Sequence, residues 1–572
     1  MDTTAGKHAG DRGDQAGRPA SRIKIGHLWL PPLAITTLAL ALRIYQLGTE
    51  SLWIDEGYSI EDARNLNFRL GVQDVRPLYN IILSLWLHLG ESEFVLRLPA
   101  ALLGATAVLA VYLLGRRIAS ERAGLFAAGL MAVSPLHVNH SQEVRMYSLV
   151  TLLVLLAMYE FFLFLSARRT SHLAGCLVFT ALSIATFPPA ALLILVQNLA
   201  VLRGTPRWAL RNWFIAQVLL LAPCIPLFLR TVEASKYLAP EAGTGPSALD
   251  AVRITGSFSL LASGPAGSMT WYAFSAYTFG SLALIAFGFV QMQRRRDSQA
   301  RPYLILLIWL VIPLALTAEL ARITGAQWLP RYVIYTSPAY FLLLGLSIHT
   351  LPGAKLKYMA AAAILILPVA KLGRYYQRPT RPEWREAVRL IERNEQPGDV
   401  IAIYRPGNGC VFRYYYRGKQ PWQEVGWPKL QKKRPWTEER VAGVIGDLPL
   451  RYRRVWLVMS QYDPKAPRAM ERYISGKYKL LEKHSYAEIE MILFERCTPG
   501  SQSRTPNLKL GTLKLETQIS YAIRITQHVQ HPITPILHHS IAPIHEWENR
   551  GDGGPTRIRT RDQPVMSRPL YR

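Results

Sequence analysis

Two adjacent carboxylates, Asp55 and Glu56, lie in the segment 51–60, whose residues are SLWIDEGYSI. This segment follows directly on an apolar run over 28–47, which is long enough to cross a lipid bilayer. Carboxylates at the end of a membrane span are costly to place near hydrocarbon and seldom lack a role. We therefore interpret Asp55 as a general base. The structural alternative is that Asp55 caps an interfacial helix, while Glu56 either orients an acceptor or pairs with a nearby arginine.

Further charged residues stand in loops well separated along the chain. Arginine suits the binding of a phosphate group, because its planar guanidinium donates two hydrogen bonds in parallel. Glu143 and Arg145 stand just before a span, and they can alternatively form a polar cluster that caps the following helix. The candidate substrate-binding residues are Arg76, Glu143, Arg145, Arg331 and Tyr332.

The composition indicates a polytopic membrane protein. The chain has 572 residues, half of them hydrophobic, and a formal net charge of +27. A soluble nucleic-acid binder would collect such charge on one face and would not contain apolar runs of about 20 residues. The four cysteines show no metal-ligand spacing, so we predict no metal site from them. A disulfide between Cys410 and Cys497 is a minority alternative.

Apolar runs predict about eleven membrane-spanning helices. The two runs on either side of Pro188 and Pro189 can also form one broken helix. The first run follows a polar segment without a cleavage site, so we expect an uncleaved anchor rather than a signal peptide. The runs cover residues 28–47, 95–115, 123–139, 146–166, 172–187, 189–202, 212–230, 272–292, 302–321, 332–350 and 356–373.

Basic residues alternate along these runs in the way that the positive-inside rule requires. If the N-terminal arginines are cytoplasmic, so are five short basic loops. The remaining loops then share the outer face, and they contain the charged candidate residues Asp55, Glu56, Arg76, Glu143, Arg145 and Arg331. The basic loops contain Arg116, Arg117 and Arg122; Arg168 and Arg169; Arg203, Arg207 and Arg211; Arg294, Arg295 and Arg296; Lys355 and Lys357.

The sequence pattern changes after residue 373, where the long apolar runs end. Residues 384–394 have the pattern of an amphipathic helix, and 400–404, 455–459 and 489–494 have that of strands. Helices interleaved with strands predict a small α/β domain over 374–497, on the outer face. The segments 1–27 and 498–572 are predicted to be disordered, and the ending of the second resembles read-through of a tRNA gene. We expect this tail not to belong to the functional protein.

Several motifs follow one another along the chain: 53–56 (WIDE), 74–79 (DVRPLY), 96–100 (LRLPA), 111–117 (VYLLGRR), 134–135 (SP), 141–147 (SQEVRMY), 331–332 (RY) with Pro338, 384–387 (WREA) and 397–400 (PGDV). In this order they resemble the membrane-embedded GT-C glycosyltransferases of the bacterial protein-mannosyltransferase and aminoarabinose-transferase type, which are relatives of glycosyltransferase family 39. The likeness covers roughly residues 28–497. Two departures concern Arg76-Pro77, where many relatives have His-Pro-Pro, and Phe187, where many have an aromatic residue followed by His.

The resemblance implies an all-α polytopic membrane domain over 28–373, with the outer α/β domain beside it. It implies transfer of a sugar from a polyprenyl-phosphate donor to an extracytoplasmic glycan, lipid or protein, in the inner (plasma) membrane of the cell envelope. Asp55, with Glu56, would be catalytic. The lipid-linked sugar is then a substrate, no resident cofactor is implied, and dependence on a divalent metal is left open. The sugar and the acceptor are not indicated.

Two other classes of function compete with this interpretation. A transporter or lipid flippase would keep polar groups near the middle of its spans and would often show internal repeats, and neither feature is evident here. A non-catalytic membrane scaffold would have no need for the adjacent carboxylates Asp55 and Glu56.

Overall fold

A computed structural model describes most of the chain before residue 497. The described residues are 25–66, 76–202, 207–227, 229, 248–260, 271–295, 297–324, 328–377, 381–426, 436–460 and 465–496. Cys497, most of the predicted N-terminal disordered segment and the whole tail over 498–572 lie outside them. The expectations about disorder and about a disulfide at Cys497 therefore remain predictions.

The first part of the chain is helical. Short 3-10 turns at Pro188–Ala191, Ala222–Cys224 and Pro330–Thr336 join some of the helices. The helices are α1 Ile25–Ile44, α2 Ile54–Arg64, α3 Pro77–Leu87, α4 Glu93–Ile118, α5 Glu121–Val133, α6 Pro135–Ser141, α7 Tyr147–Ala167, α8 Thr170–Thr186, α9 Leu192–Val201, α10 Arg207–Leu221, α11 Ala248–Leu260, α12 Trp271–Arg294, α13 Ala300–Thr324, α14 Ser337–Thr350 and α15 Ala354–Tyr375.

Each of the eleven predicted apolar runs overlaps at least one helix in this list. Within the described ranges, six helices are long and apolar enough to cross a membrane: Glu93–Ile118, Tyr147–Ala167, Tyr272–Arg294, Ala300–Thr324, Pro330–Thr350 and Ala354–Tyr375. The number of helices that cross the membrane therefore stays a prediction. The run over 123–139 is divided at Ser134, because Pro135 begins a new helix there.

Glycines allow α4 and α5 to approach each other closely. A Cβ atom on Gly124 would lie 2.6 Å from the carbonyl oxygen of Tyr112 and 2.9 Å from the backbone nitrogen of Arg116. A Cβ on Gly115 would lie 2.6 Å from the Cα of Gly124. Small residues at such contacts let helix backbones pack directly in a membrane, where apolar attraction between helices is weak.

Replacing Gly124 by alanine should destabilise this helix pair. The new methyl group would meet backbone atoms, which cannot rotate away, and overpacking of this kind costs about 1–3 kcal/mol. Gly129→Ala is the matched control, because it lies on the same helix with no atom within 4 Å of the added Cβ. Thermal unfolding in detergent should show a lower Tm for Gly124→Ala alone. Equal Tm values for the two variants would contradict the proposed close contact.

The last part of the chain alternates strands and helices. The predicted helix over 384–394 and the three predicted strands are confirmed, within one residue at each end. The strands are β1 Asp399–Tyr404, β2 Trp422–Val425, β3 Arg454–Ser460, β4 Lys479–Tyr486 and β5 Ile489–Glu495, and the helices are α16 Trp384–Asn394, α17 Gly409–Tyr415, α18 Glu438–Ile445, α19 Leu448–Arg451 and α20 Ala466–Lys477.

The strands form one mixed sheet in the order β2-β1-β3-β5-β4. Strand β1 is parallel to β2 and β3, and the remaining pairs are antiparallel. Both β1 and β3 are buried along their whole length, which explains their continuous apolar sequences. One face of the sheet belongs to the same apolar cluster as the helices of the first part, through residues such as Ile403, Trp456 and Leu493.

Candidate active site

The adjacent carboxylates Asp55 and Glu56 lie in the first turn of α2. Trp53 has extended backbone angles just before the helix. The backbone N–H of Trp53 donates a hydrogen bond to the Glu56 carboxylate at 3.2 Å. Negative side chains in the first turn are also favoured by the helix dipole. Asp55 and Glu56 are thus held in a fixed orientation at the start of the helix.

The Asp55 carboxylate faces two arginines that come from distant parts of the chain. Its Oδ2 lies 3.3 Å from Nη1 of Arg331 and 3.8 Å from Nη2 of Arg145. The Asp55 side chain is 23% exposed, so it is reachable from solvent. The structure therefore brings together the predicted base and two of the predicted phosphate-binding residues.

Both arginines are held by further contacts. Nη1 of Arg145 donates to the backbone carbonyl of Asp55 at 3.0 Å and to the hydroxyl of Ser59 at 3.1 Å. The guanidinium of Arg331 lies over the rings of Trp53 and Tyr332, at 5.6 and 5.5 Å from the ring centroids. Within the described part of the chain, the buried Nε atoms of Arg145 and Arg331 have no hydrogen-bond partner.

Arg76 adds a third positive charge to this region. It pairs with Asp62 of α2 at 2.8 Å. Burial and the positive charge of Arg145 lower the pKa of Arg76, although Asp62 acts in the opposite direction. Arg76 and Arg145 are close enough for their charges to act on each other, and together with Arg331 they supply positive charge that could bind an anion such as a phosphate group.

Glu56 occupies a different environment from its neighbour. Its side chain is fully buried, and its two oxygens each lie 2.9 Å from a nitrogen of Arg97. Oε1 also accepts the backbone N–H of Val144 at 2.9 Å. Burial opposes the charged form, but the positive charges of Arg97 and Arg381 outweigh it and lower the pKa of Glu56. The pairing with an arginine, one of the two alternatives for Glu56, is therefore the one observed.

Glu143 is also buried and fully engaged. Oε2 lies 2.9 Å from Nδ1 of His140, and Oε1 accepts from Nδ2 of Asn139 at 3.1 Å. Burial raises the pKa of this carboxyl, but His140 and then Arg381 act against it and hold the pKa of Glu143 at about 2. Its oxygens face protein groups, so the structure places Glu143 behind the accessible surface that Asp55 and the arginines form.

Sequence reasoning missed Arg97, His140 and Arg381. Arg97 stands inside an apolar stretch of α4, and a charged residue in such a stretch is expected to have a buried partner. That signal was available, although it could not identify Glu56 as the partner. Arg381 stands at the edge of the α/β part and carries no motif of its own, so its position in the site becomes apparent only from the structure.

The Glu143 carboxylate should give the protein a specific dependence on pH. Its pKa is lowered from the ordinary 4.5 to about 2, so its stabilising contribution is complete above about pH 4.5 and disappears as the pH falls to about 2. The shift corresponds to on the order of 3 kcal/mol. The Tm of the wild type should exceed that of Glu143→Gln at neutral pH, and the difference should shrink below about pH 4.

Asp447→Asn provides the control for this pH series, because Asp447 forms an exposed ion pair with Arg451 one helical turn away. Exposed pairs contribute little to stability, so this variant should follow the wild type at every pH. A difference between wild type and Glu143→Gln that stayed constant from neutral pH to pH 3 would show that the charge of Glu143 does not matter.

A family model and several solved structures are similar to this chain. The model for dolichyl-phosphate-mannose-protein mannosyltransferase matches residues 74–229. No curated protein matches the sequence. The matched segment contains Arg76, Arg97, Glu143 and Arg145 of the site, whereas Asp55 and Arg331 lie outside it.

The fold is similar to that of two GT-C enzymes of known structure. The oligosaccharyltransferase of Archaeoglobus fulgidus, crystallised with zinc and sulfate, is 15% identical with a TM-score of 0.51, covering 79% of this chain and 72% of that one. A structure of the same archaeal enzyme, AglB, with an inhibitory peptide and a dolichol-phosphate is 12% identical with a TM-score of 0.50. It covers 81% of this chain and 74% of that one. ArnT of Cupriavidus metallidurans, bound to undecaprenyl phosphate, is 14% identical with a TM-score of 0.51. The match covers 82% of this chain and 99% of that one.

Proposed function

We propose that this chain, a membrane glycosyltransferase with the GT-C fold, transfers a sugar from a polyprenyl-phosphate donor to an acceptor hydroxyl. The observation that carries the proposal is the accessible Asp55 carboxylate between Arg145 and Arg331. The names of the similar proteins support the donor class, since one solved relative holds undecaprenyl phosphate and another a dolichol-phosphate. The acceptor in this proposal is an extracytoplasmic glycan, lipid or protein.

The reaction requires one bond to form and one to break at the anomeric carbon of the sugar. The acceptor oxygen attacks this carbon, the bond from the carbon to the phosphate oxygen breaks, and the polyprenyl phosphate leaves as an anion. The acceptor proton passes to Asp55. Because the leaving group is a stable anion, the site needs a base and positive charge but no general acid.

The arginines supply that positive charge. We assign the donor phosphate to the surface formed by Arg76, Arg145 and Arg331, where developing negative charge on the leaving oxygen is stabilised. Tyr332 supports Arg331 through its ring. Among the described residues the buried Nε atoms of Arg145 and Arg331 have no partner, which supports this assignment because such a donor is costly unless a ligand completes it.

The buried carboxylates have a different role in this proposal. Glu56 joins the start of α2 to Arg97 and to the backbone of Val144, so it positions Asp55 rather than contacting the substrate. Glu143 similarly orders the turn before α7. The sequence left open whether Glu56 and Glu143 act on the substrate directly or form structural pairs, and we assign both to positioning.

We place the active site on the outer face of the inner (plasma) membrane. The alternation of short basic loops supports this orientation, because such loops stay in the cytoplasm. The donor lipid would then lie in the bilayer with its phosphate at the outer surface. Loops carrying Asp55, Arg145 and Arg331 would reach it from that side.

Asp55→Asn should abolish most turnover while donor binding survives. The amide keeps the shape of the side chain but cannot accept the proton, and loss of a general base costs about 10²–10⁴ in rate. We would measure release of undecaprenyl phosphate in nanodiscs from a panel of undecaprenyl-phosphate-linked hexoses and pentoses. Affinity for undecaprenyl phosphate itself would report binding.

The matched control for Asp55→Asn is Glu61→Gln on the same helix. Glu61 pairs with Arg413 at the surface and has no contact with Arg145 or Arg331 among the described residues. It should retain the wild-type rate. Near-normal turnover by Asp55→Asn would reject this residue as the base.

Arg331→Gln should weaken the binding of undecaprenyl phosphate as well as turnover. Charge-assisted hydrogen bonds to a phosphate contribute about 1.5–3 kcal/mol, so affinity should fall by roughly 10-fold to 100-fold. Arg322→Gln is the control, since Arg322 is 59% exposed and pairs only locally with Glu319 in what the structure describes. Unchanged lipid affinity in Arg331→Gln would remove Arg331 from the phosphate site.

A further inference from the structure

Arg381 contacts three segments of the active site: the loop with Glu50, the start of α2 and the turn before α7. It stands between α15 and α16, where the chain passes from the membrane helices into the α/β part. Its side chain is 5% exposed, and Nη2 donates to the backbone carbonyl of Gln142 at 2.7 Å. The guanidinium also lies 3.6 Å from Glu50, 3.6 Å from Glu56 and 3.9 Å from Glu143.

The two buried carboxylates need this additional charge. The negative charge of Glu143 acts against the ionised form of Glu56, and both carboxylates lie in a poorly solvated region. Arg97 forms a bidentate pair with Glu56 but makes no described contact with Glu143. Arg381 faces both carboxylates at once. Removing one member of such a buried cluster leaves uncompensated charge behind.

The same cluster determines the geometry around the proposed base. Oε1 of Glu56 accepts the N–H of Val144, and Val144 directly precedes Arg145. Arg145 in turn donates to the carbonyl of Asp55. A shift of Glu56 would therefore change the separation between the Asp55 carboxylate and the Arg145 guanidinium.

We propose that Arg381 is a positioning residue for the sugar-transfer reaction. It holds Glu56 and Glu143 together, and through them it sets the distance between Asp55 and Arg145. The inference rests on the proposed function, because the geometry that it protects is that of the base and the phosphate-binding arginine. It also gives the segment leading into the α/β part a direct role in the active site.

Arg381→Gln should lower kcat much more than it changes KM for the lipid-linked sugar. A misplacement of about 1 Å in a catalytic arrangement can reduce the rate by about 100-fold. We expect a reduction of kcat by at least roughly 10-fold on that basis. The affinity for undecaprenyl phosphate should change by less than about threefold, since Arg381 lies behind the phosphate surface.

The control is Arg385→Gln, four residues further along the chain. Arg385 also connects this segment to the membrane helices, through Glu93 at 2.6 Å, but has no described contact with Glu56 or Glu143. A general loosening of the α/β part would affect both variants equally. A kcat for Arg381→Gln no lower than that of Arg385→Gln would overturn the proposal.

A double variant separates charge compensation from simple destabilisation. In Arg381→Gln with Glu143→Gln, one buried negative charge is removed together with the positive one. The double variant should recover a substantial part of the kcat that Arg381→Gln loses. A kcat equal to or below that of the single variant would argue against the proposed role.

If Arg381→Gln does not accumulate, Arg381→Lys decides the question. Lysine retains the charge but cannot donate in the same planar arrangement. A reduced kcat at a wild-type Tm supports positioning, and a wild-type kcat contradicts it. Should the wild type itself release no undecaprenyl phosphate from any donor in the panel, the proposed function fails, whatever the Arg381 variants show.

Discussion

The site depends on the neutralisation of two carboxylates that are buried where water cannot solvate them. Glu56 and Glu143 are tolerated there because Arg97, His140 and Arg381 arrive from separate elements and supply charge and hydrogen bonds. Such a cluster contributes little net stability relative to an apolar core, but it specifies one arrangement of the segments that carry it. Asp55 and Arg145 have their orientation because they are attached to those segments.

Adjacent positions on one helix account for the different environments of the two carboxylates. Successive residues of an α-helix point about 100° apart, so Asp55 and Glu56 cannot face the same surroundings. Glu56 points into the protein, where Arg97 holds it. Asp55 points toward the opening, where Arg331 and solvent reach it. One short helix thereby provides both a group for chemistry and the anchor that fixes it.

Apolar patterning was sufficient for most helices and for the three central strands, because burial dictates their composition. It was insufficient for β2, which has only four residues, and for β4, whose exposed and partly buried positions alternate weakly. Asp55, Arg145 and Arg331 were predicted as site residues, and the structure brings them together. The partners of Glu56 were not predictable, since a charge pair between residues far apart leaves no local pattern.

The position of Arg381 has a consequence for the biosynthesis of the protein. Arg381 is separated by 239 residues from Gln142, whose carbonyl it contacts. Chains are synthesised from the N-terminus, and earlier segments become structured first. Helix α2, which carries Glu56, and the turn that carries Glu143 are therefore made well before their shared arginine emerges from the ribosome. A nascent chain cannot complete its active site until the last long helix has been made, so catalytic competence is among the final properties that this protein acquires.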